Sequence, residues 1–437
     1  MNIDAALAAI AGLDGTGVDL GEREMVWPDF PAHEYRRRYA KLAALMDAEG
    51  FDALVLTQEE PVRYLSGYNS VVWAVGRWLP TVFVAARDPR QSVLFCSAFD
   101  AGCAQGTCWA TVHPYPIQSE LAGLVTGQLR EIGAAPGRTG YEYGPGTFMA
   151  LPQYVAHPIL AAGAGPVLTA GAAPAVPGNF DGPRDAGRLL SALRMVKSPL
   201  EIERVRRSVS AAVAGYRAGL EAARAGMTEK ELVATIASTM YLNGTTAGSK
   251  PLFVNCVSGR TRYPLVDSPA SGNVLADGDV VFVDGGGASD GYVSDILRII
   301  GIGALRPEDL RYAGVAAEAT QVMIDTVRPG VRVSELIGAA SEHVRSAGVE
   351  DPVGAVAGHG IGLELWERPI IQVHEDPDDD VAVLPGMVLC LEPILAPPHP
   401  DGGLAGIFVI EQQVLVTEDG CEVLSGDLPG ELWQAVS

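Results

Sequence analysis

The spacing of apolar residues changes several times along the chain. Across residues 34–49, EYRRRYAKLAALMDAE, the side chains Tyr35, Tyr39, Leu42, Leu45 and Met46 fall on one helical face, and Gly50 ends the helix. Residues 53–57, ALVLT, are continuously apolar and read as a buried strand, and residues 80–86 and 92–97 predict two more. Helix and strand alternate to about residue 165, which predicts an α/β domain. Residues 1–30 read as a loose lead-in.

Residues 163–184, AGAGPVLTAGAAPAVPGNFDGP, lose all periodicity and place a boundary, giving one domain over 1–185 and a second over 186–437. Beyond it Ser198 is a helix cap, with Pro199 in the first turn and Glu201 following. Thr228 opens TEKE, a capping box for the next helix.

Residues 280–298, VVFVDGGGASDGYVSDILR, place two β-branched runs around a Gly, Asp and Ser cluster, the pattern of a hairpin. A turn centred near Ser289 and Asp290 would set Asp284 opposite Asp295, with Cβ atoms about 5 Å apart. Carboxylates that close repel unless they share a proton or a cation, and hard divalent cations take carboxylate oxygens. The alternative is a solvated acidic turn. The pattern recurs near the C-terminus: Glu392 ends MVLCLE, Glu411 ends GIFVIE, and PPHPDGG lies between. A turn between Asp401 and Gly402 again opposes the two acids. His359, in GHGIG, has small neighbours that leave the imidazole room. Taken singly, each of these residues has an ordinary structural role open to it. Together, two Asp, one His and two Glu offer enough donors for two cations.

Composition narrows the partners. With 53 acidic against 31 basic residues, the formal charge of −22 argues against nucleic acid or an anionic membrane. No stretch approaches the roughly 20 apolar residues of a membrane span, and the N-terminus lacks the basic start of a signal peptide. The six cysteines form no CxxC pair, which fits reduced thiols in a cytoplasmic protein. The 437 residues, 48% hydrophobic, suffice for more than one core.

In order and local sequence these stretches resemble the creatinase/aminopeptidase P/prolidase family, whose pita-bread fold is shared with methionine aminopeptidase. VFVDGGG with SDILR, GHGIGLE, GMVLCLEP and GIFVIEQQVLVTEDG are similar to its successive metal-site motifs. RRRYAKLAALMDAEGFDALVLTQEEPVRYLSGY resembles the opening of its N-terminal domain, and RMVKSPLEIERVRRS the entry to its catalytic domain. The resemblance implies a creatinase-like α/β N-terminal domain followed by a pita-bread (α+β) catalytic domain. It implies Asp284, Asp295, His359, Glu392 and Glu411 as ligands of two divalent ions, manganese first, with cobalt, zinc or iron as the other choices. It also implies a homodimer.

The departures concern the residues around the ligands. Trp366 stands where peptidases of this family carry a second His after the ligand. Counted without gaps, Asp267 stands where they carry one before the first Asp, and Val266 is the other candidate. Val409 and Leu297 replace an Arg and a Thr. The activity expected is hydrolysis of a peptide or amide C–N bond by a metal-bound hydroxide, as in an Xaa-Pro aminopeptidase or dipeptidase, with Glu392 passing the proton. Asp267 could hold a substrate amine or guanidinium, while Trp366 and Trp73 are candidates for an apolar substrate wall. The changed surroundings leave a second expectation open: an amidohydrolase or lyase acting on a small non-peptide molecule with the same five ligands. A non-catalytic binding protein is the third, disfavoured because five mutually repelling ligands need a reason to stay together.

Overall fold

The computed structural model describes all residues except 76–77, 136, 145, 164–182, 247–252, 350–355, 375 and 436–437. The chain forms two compact units, Met1–Leu193 and Arg194–Ser437. Most of the Gly, Pro and Ala-rich stretch expected to separate the domains lies outside the described residues.

In the first unit, six strands form one sheet in the order Thr111–Tyr115, Val93–Ser97, Val82–Ala86, Ala53–Leu56, Thr139–Tyr141, Arg184–Asp185. The Ala53–Leu56 and Val82–Ala86 strands are buried at every position, as their unbroken apolar runs require. The helix Ala32–Glu49 buries Tyr35, Tyr39, Leu42, Leu45 and Met46, and it stops where Gly50 takes the left-handed conformation at φ 70°. The first thirty residues are more ordered than expected. Asn2 caps a helix, Ile3–Ile10, that buries Ile3, Leu7 and Ile10. That helix is too short for its periodicity to stand out. Trp73 belongs to this unit, in a short turn, edge-on to Tyr68 at 5.6 Å.

The second unit opens with two long helices. Pro199–Ala222 begins at the Ser198/Glu201 capping box and Glu229–Leu242 at the Thr228/Glu231 box. They approach closely because Gly215 and Gly219 have no side chain: a Cβ at Gly215 would lie 2.8 Å from the Ile236 carbonyl oxygen. Behind them lies a four-stranded sheet, ordered Trp433–Gln434, Ile296–Gly301, Val280–Gly286, Phe253–Val257. A five-stranded sheet follows, ordered Glu367–Gln372, Val356–Gly360, Val388–Leu391, Gln412–Val416, Cys421–Val423. The sheets are tied at Glu411, whose N–H donates to the Leu297 carbonyl at 3.1 Å. No helix among the described residues is long and apolar enough to cross a membrane.

Candidate metal centre

The hairpin carrying the two aspartates is present, shifted from its expected register. Its tip is Asp290-Gly291, both at positive φ (49° and 86°), the geometry of a tight two-residue hairpin turn. The turn therefore sits one residue later than expected. Asp284 pairs with Leu297, and Ile296 pairs with Gly285. Asp295 is then the diagonal neighbour of Asp284 rather than its direct partner, still on the same face because it lies two residues from Leu297. The second hairpin has the expected register. Val388 pairs with Leu415 and Leu391 with Gln412, so the next step sets Glu392 against Glu411.

These strand ends converge. Carboxylate oxygens of Asp284, Asp295 and Glu411 lie within 4.8 Å of one another. His359, on the strand between Glu367–Gln372 and Val388–Leu391, directs Nε2 at Glu392 Oε1 (3.5 Å) and Asp295 Oδ2 (3.7 Å). Its Nδ1 is 2.9 Å from the Gly360 carbonyl, which can only accept, so Nδ1 carries the proton and Nε2 presents its lone pair. Burial holds His359 down to about 4, so the ring is neutral at neutral pH. All four carboxyl groups are pushed above their ordinary range. Burial is the first cause for each, and the neighbouring acids add to it.

The buried atoms without hydrogen-bond partners test whether a cation fits. Asp295 Oδ1, His359 Nε2 and both Glu411 carboxylate oxygens are enclosed and unpaired. Buried polar atoms are nearly always satisfied. These are all acceptors, and they point into one space. A divalent cation satisfies such a set, whereas a water could donate to only two of them.

The residues around the ligands divide. Trp366 stacks on the His359 ring, centroids 4.7 Å apart and planes 21° apart, and is 50% exposed. Asp267 is exposed on the loop between Val257 and Val280, close enough that its charge helps raise Asp284. Val266 turns its carbonyl to Asn255 Nδ2. Asn255 is the strand partner of Asp284 and keeps Oδ1 buried and unpaired. Leu297 and Val409 are packed in the core.

Sequence reasoning overlooked three residues here. Gln413 accepts from the Asp295 N–H at 3.2 Å through Oε1. Cys390 places Sγ within 4.8 Å of a His359 ring nitrogen and a Glu411 oxygen. Both lie two residues from a ligand along a strand, so the two-residue period could have found them. Tyr216 brings its hydroxyl to the backbone carbonyls of Val283, Gly285 and Ile296, tying the two aspartate strands together. A lone tyrosine in a helix gives no sequence signal of that.

The fold is a pita-bread domain with a candidate divalent-metal centre, following a creatinase-type N-terminal domain in the chain. Comparison with known proteins agrees. The model for metallopeptidase family M24 matches residues 203–418, and that for the creatinase/prolidase N-terminal domain matches 38–154. The chain belongs to the creatinase/prolidase family of M24 metallopeptidases, a family that implies divalent metal ions.

Among curated relatives, an Xaa-Pro dipeptidase of Pyrococcus furiosus is 30% identical over 237 residues, 54% of this chain and 65% of the relative. An Xaa-Pro dipeptidase of Lactobacillus delbrueckii subsp. lactis is 30% identical over 55% of this chain and 62% of its own length. These matches thus span less than two thirds of either relative. Two solved structures share the fold over nearly their whole length. Dipeptidase PepE from Mycobacterium ulcerans has a TM-score of 0.75 at 24% identity, covering 93% of this chain and 99% of that one. The prolidase from Pyrococcus horikoshii OT3 has a TM-score of 0.71 at 21% identity, covering 89% and 97%.

Proposed function

We propose that this protein is a dinuclear-metal hydrolase of the Xaa-Pro dipeptidase type, cleaving a C–N bond in a small peptide or amide. The observation that carries the reading is the convergence of unpaired, buried acceptors from Asp295, His359 and Glu411. Asp284, Asp295, His359, Glu392 and Glu411 would hold the two ions, manganese by family resemblance. Once bound, such ions polarise a carbonyl and bring the acidity of water toward neutral pH.

The chain's own residues supply the rest. Glu392, on the wall of the cluster and still partly exposed at 12%, takes the proton of the attacking water and returns it to the leaving nitrogen. His359 stays neutral and oriented through its bond to Gly360. Trp366 covers one face of that imidazole and offers an apolar wall to the substrate, and Asp267 holds a substrate amine. A cytoplasmic setting is supported by the free cysteines. A homodimer belongs to the same proposal.

One observation favours a second reading. The stacked Trp366 occupies the place of a peptidase histidine, so an amidohydrolase or lyase on a small non-peptide substrate would use the same ligands without that donor.

The test begins with metal analysis, followed by incubation of the metal-loaded protein with Xaa-Pro dipeptides. Release of free proline is expected. Full metal occupancy with no release selects the second reading, and labelled water then separates hydrolysis from elimination. A protein that binds no divalent ion overturns both.

A further inference from the structure

We propose that Cys390 is a sixth, sulfur ligand of the metal centre, and that it biases the site toward zinc, cobalt or iron over manganese. The inference rests on the dinuclear site proposed above and departs from the manganese that family resemblance implies.

The strand register places the thiol. Cys390 pairs directly with His359 on one side and with Gln413 on the other. Paired residues share a face, and so do residues two apart along a strand. Cys390 therefore shares its face with His359, with Glu392 two residues on, and with Glu411 two residues before Gln413. Its Sγ, a His359 ring nitrogen and a Glu411 oxygen all lie within 4.8 Å of one another. Sulfur and nitrogen bound to one zinc reach at most about 4.4 Å apart, the sum of their bond lengths. A spacing within 4.8 Å is close to that reach.

The neighbours leave that space to a cation. His359 Nε2 and both Glu411 oxygens are fully buried without hydrogen-bond partners. Four oxygen-donor acids with one imidazole suit manganese, whereas an added thiolate is a soft donor that manganese takes poorly. On coordination the S–H bond breaks, a sulfur–metal bond forms, and the proton leaves to the buffer. No electron is transferred.

Cobalt(II) provides the probe. The full-length protein, stripped with a chelator and kept reduced, is titrated with cobalt and followed by absorption and by metal content. The expected result is an intense near-ultraviolet thiolate-to-cobalt band in the wild type. In Cys390→Ser it is absent, while the weaker visible bands and the cobalt content persist. A zinc-against-manganese competition is expected to lose roughly tenfold of its zinc preference in the same variant.

Cobalt bound with no charge-transfer band, or with a band that survives Cys390→Ser, overturns the inference. Absence of bound cobalt overturns the metal centre itself. Circular dichroism of the variant, with Cys390→Thr as a second substitution, separates loss of the ligand from loss of the fold.

Discussion

Trp366 presses its ring on His359 and, where the family resemblance expects a second His, offers only an indole N–H. If this change redirected the chemistry, Trp366→His should raise turnover of an Xaa-Pro dipeptide about tenfold at unchanged metal content. Kinetics beside metal analysis checks it, and no gain would mean that position 366 does not set the reaction. Glu229 anchors the loop that follows Val257. Its buried carboxylate accepts from the Ser258 and Ser271 N–H groups at 2.9 and 2.8 Å and pairs with Arg262 at 3.0 Å. Burial alone would push Glu229 up, but the Ser271, Ser258 and Arg262 bonds outweigh it and hold it below the ordinary 4.5. A carboxyl lowered on folding stabilises fully above 4.5, and the gain is lost as pH falls toward its folded value. Acid unfolding monitored from pH 6 to 3 should therefore show a steeper loss in the wild type than in Glu229→Gln. That variant should cost about 2 kcal/mol at pH 7 and loosen the loop that bears Asp267.

At the scale of elements, the hairpins and helix caps were legible because each rests on local chemistry. Ser198 and Thr228 each meet a glutamate three residues on, and both helices start there. The register of the second hairpin could be counted from its turn. The first turns one residue later than Ser289-Asp290, at Asp290-Gly291, a dipeptide that tight two-residue turns favour. The contacts that sequence does not carry are those between distant elements: Tyr216 on the aspartate strands and Trp366 on His359. The close packing of the two long helices is another. With Cβ space at Gly215 ending 2.5 Å away at Met240 and 2.8 Å away at backbone, Gly215→Val should destabilise by about 1–3 kcal/mol. A shifted urea midpoint with an unchanged slope would report it.

For the molecule as a whole, the centre binds stability to cation supply. Four acids and an imidazole enclosed together raise the energy of the folded, ion-free state. Chelation should therefore lower the melting temperature, and restoring the ion at 100 times its dissociation constant should return about 2.7 kcal/mol. Calorimetry with and without chelator measures this, and identical curves would contradict a filled centre. The effect should concentrate in Arg194–Ser437, where every proposed ligand lies, and leave hydrogen exchange in the Met1–Leu193 sheet unchanged.

The indole laid on the imidazole also makes the molecule its own optical gauge. An ion arriving at Nε2 withdraws electron density from the ring against which Trp366 rests, so the emission of this half-exposed tryptophan should change as the centre fills. Loading could then be timed in solution without a label, and Trp366→Phe should silence the signal while the ion still binds.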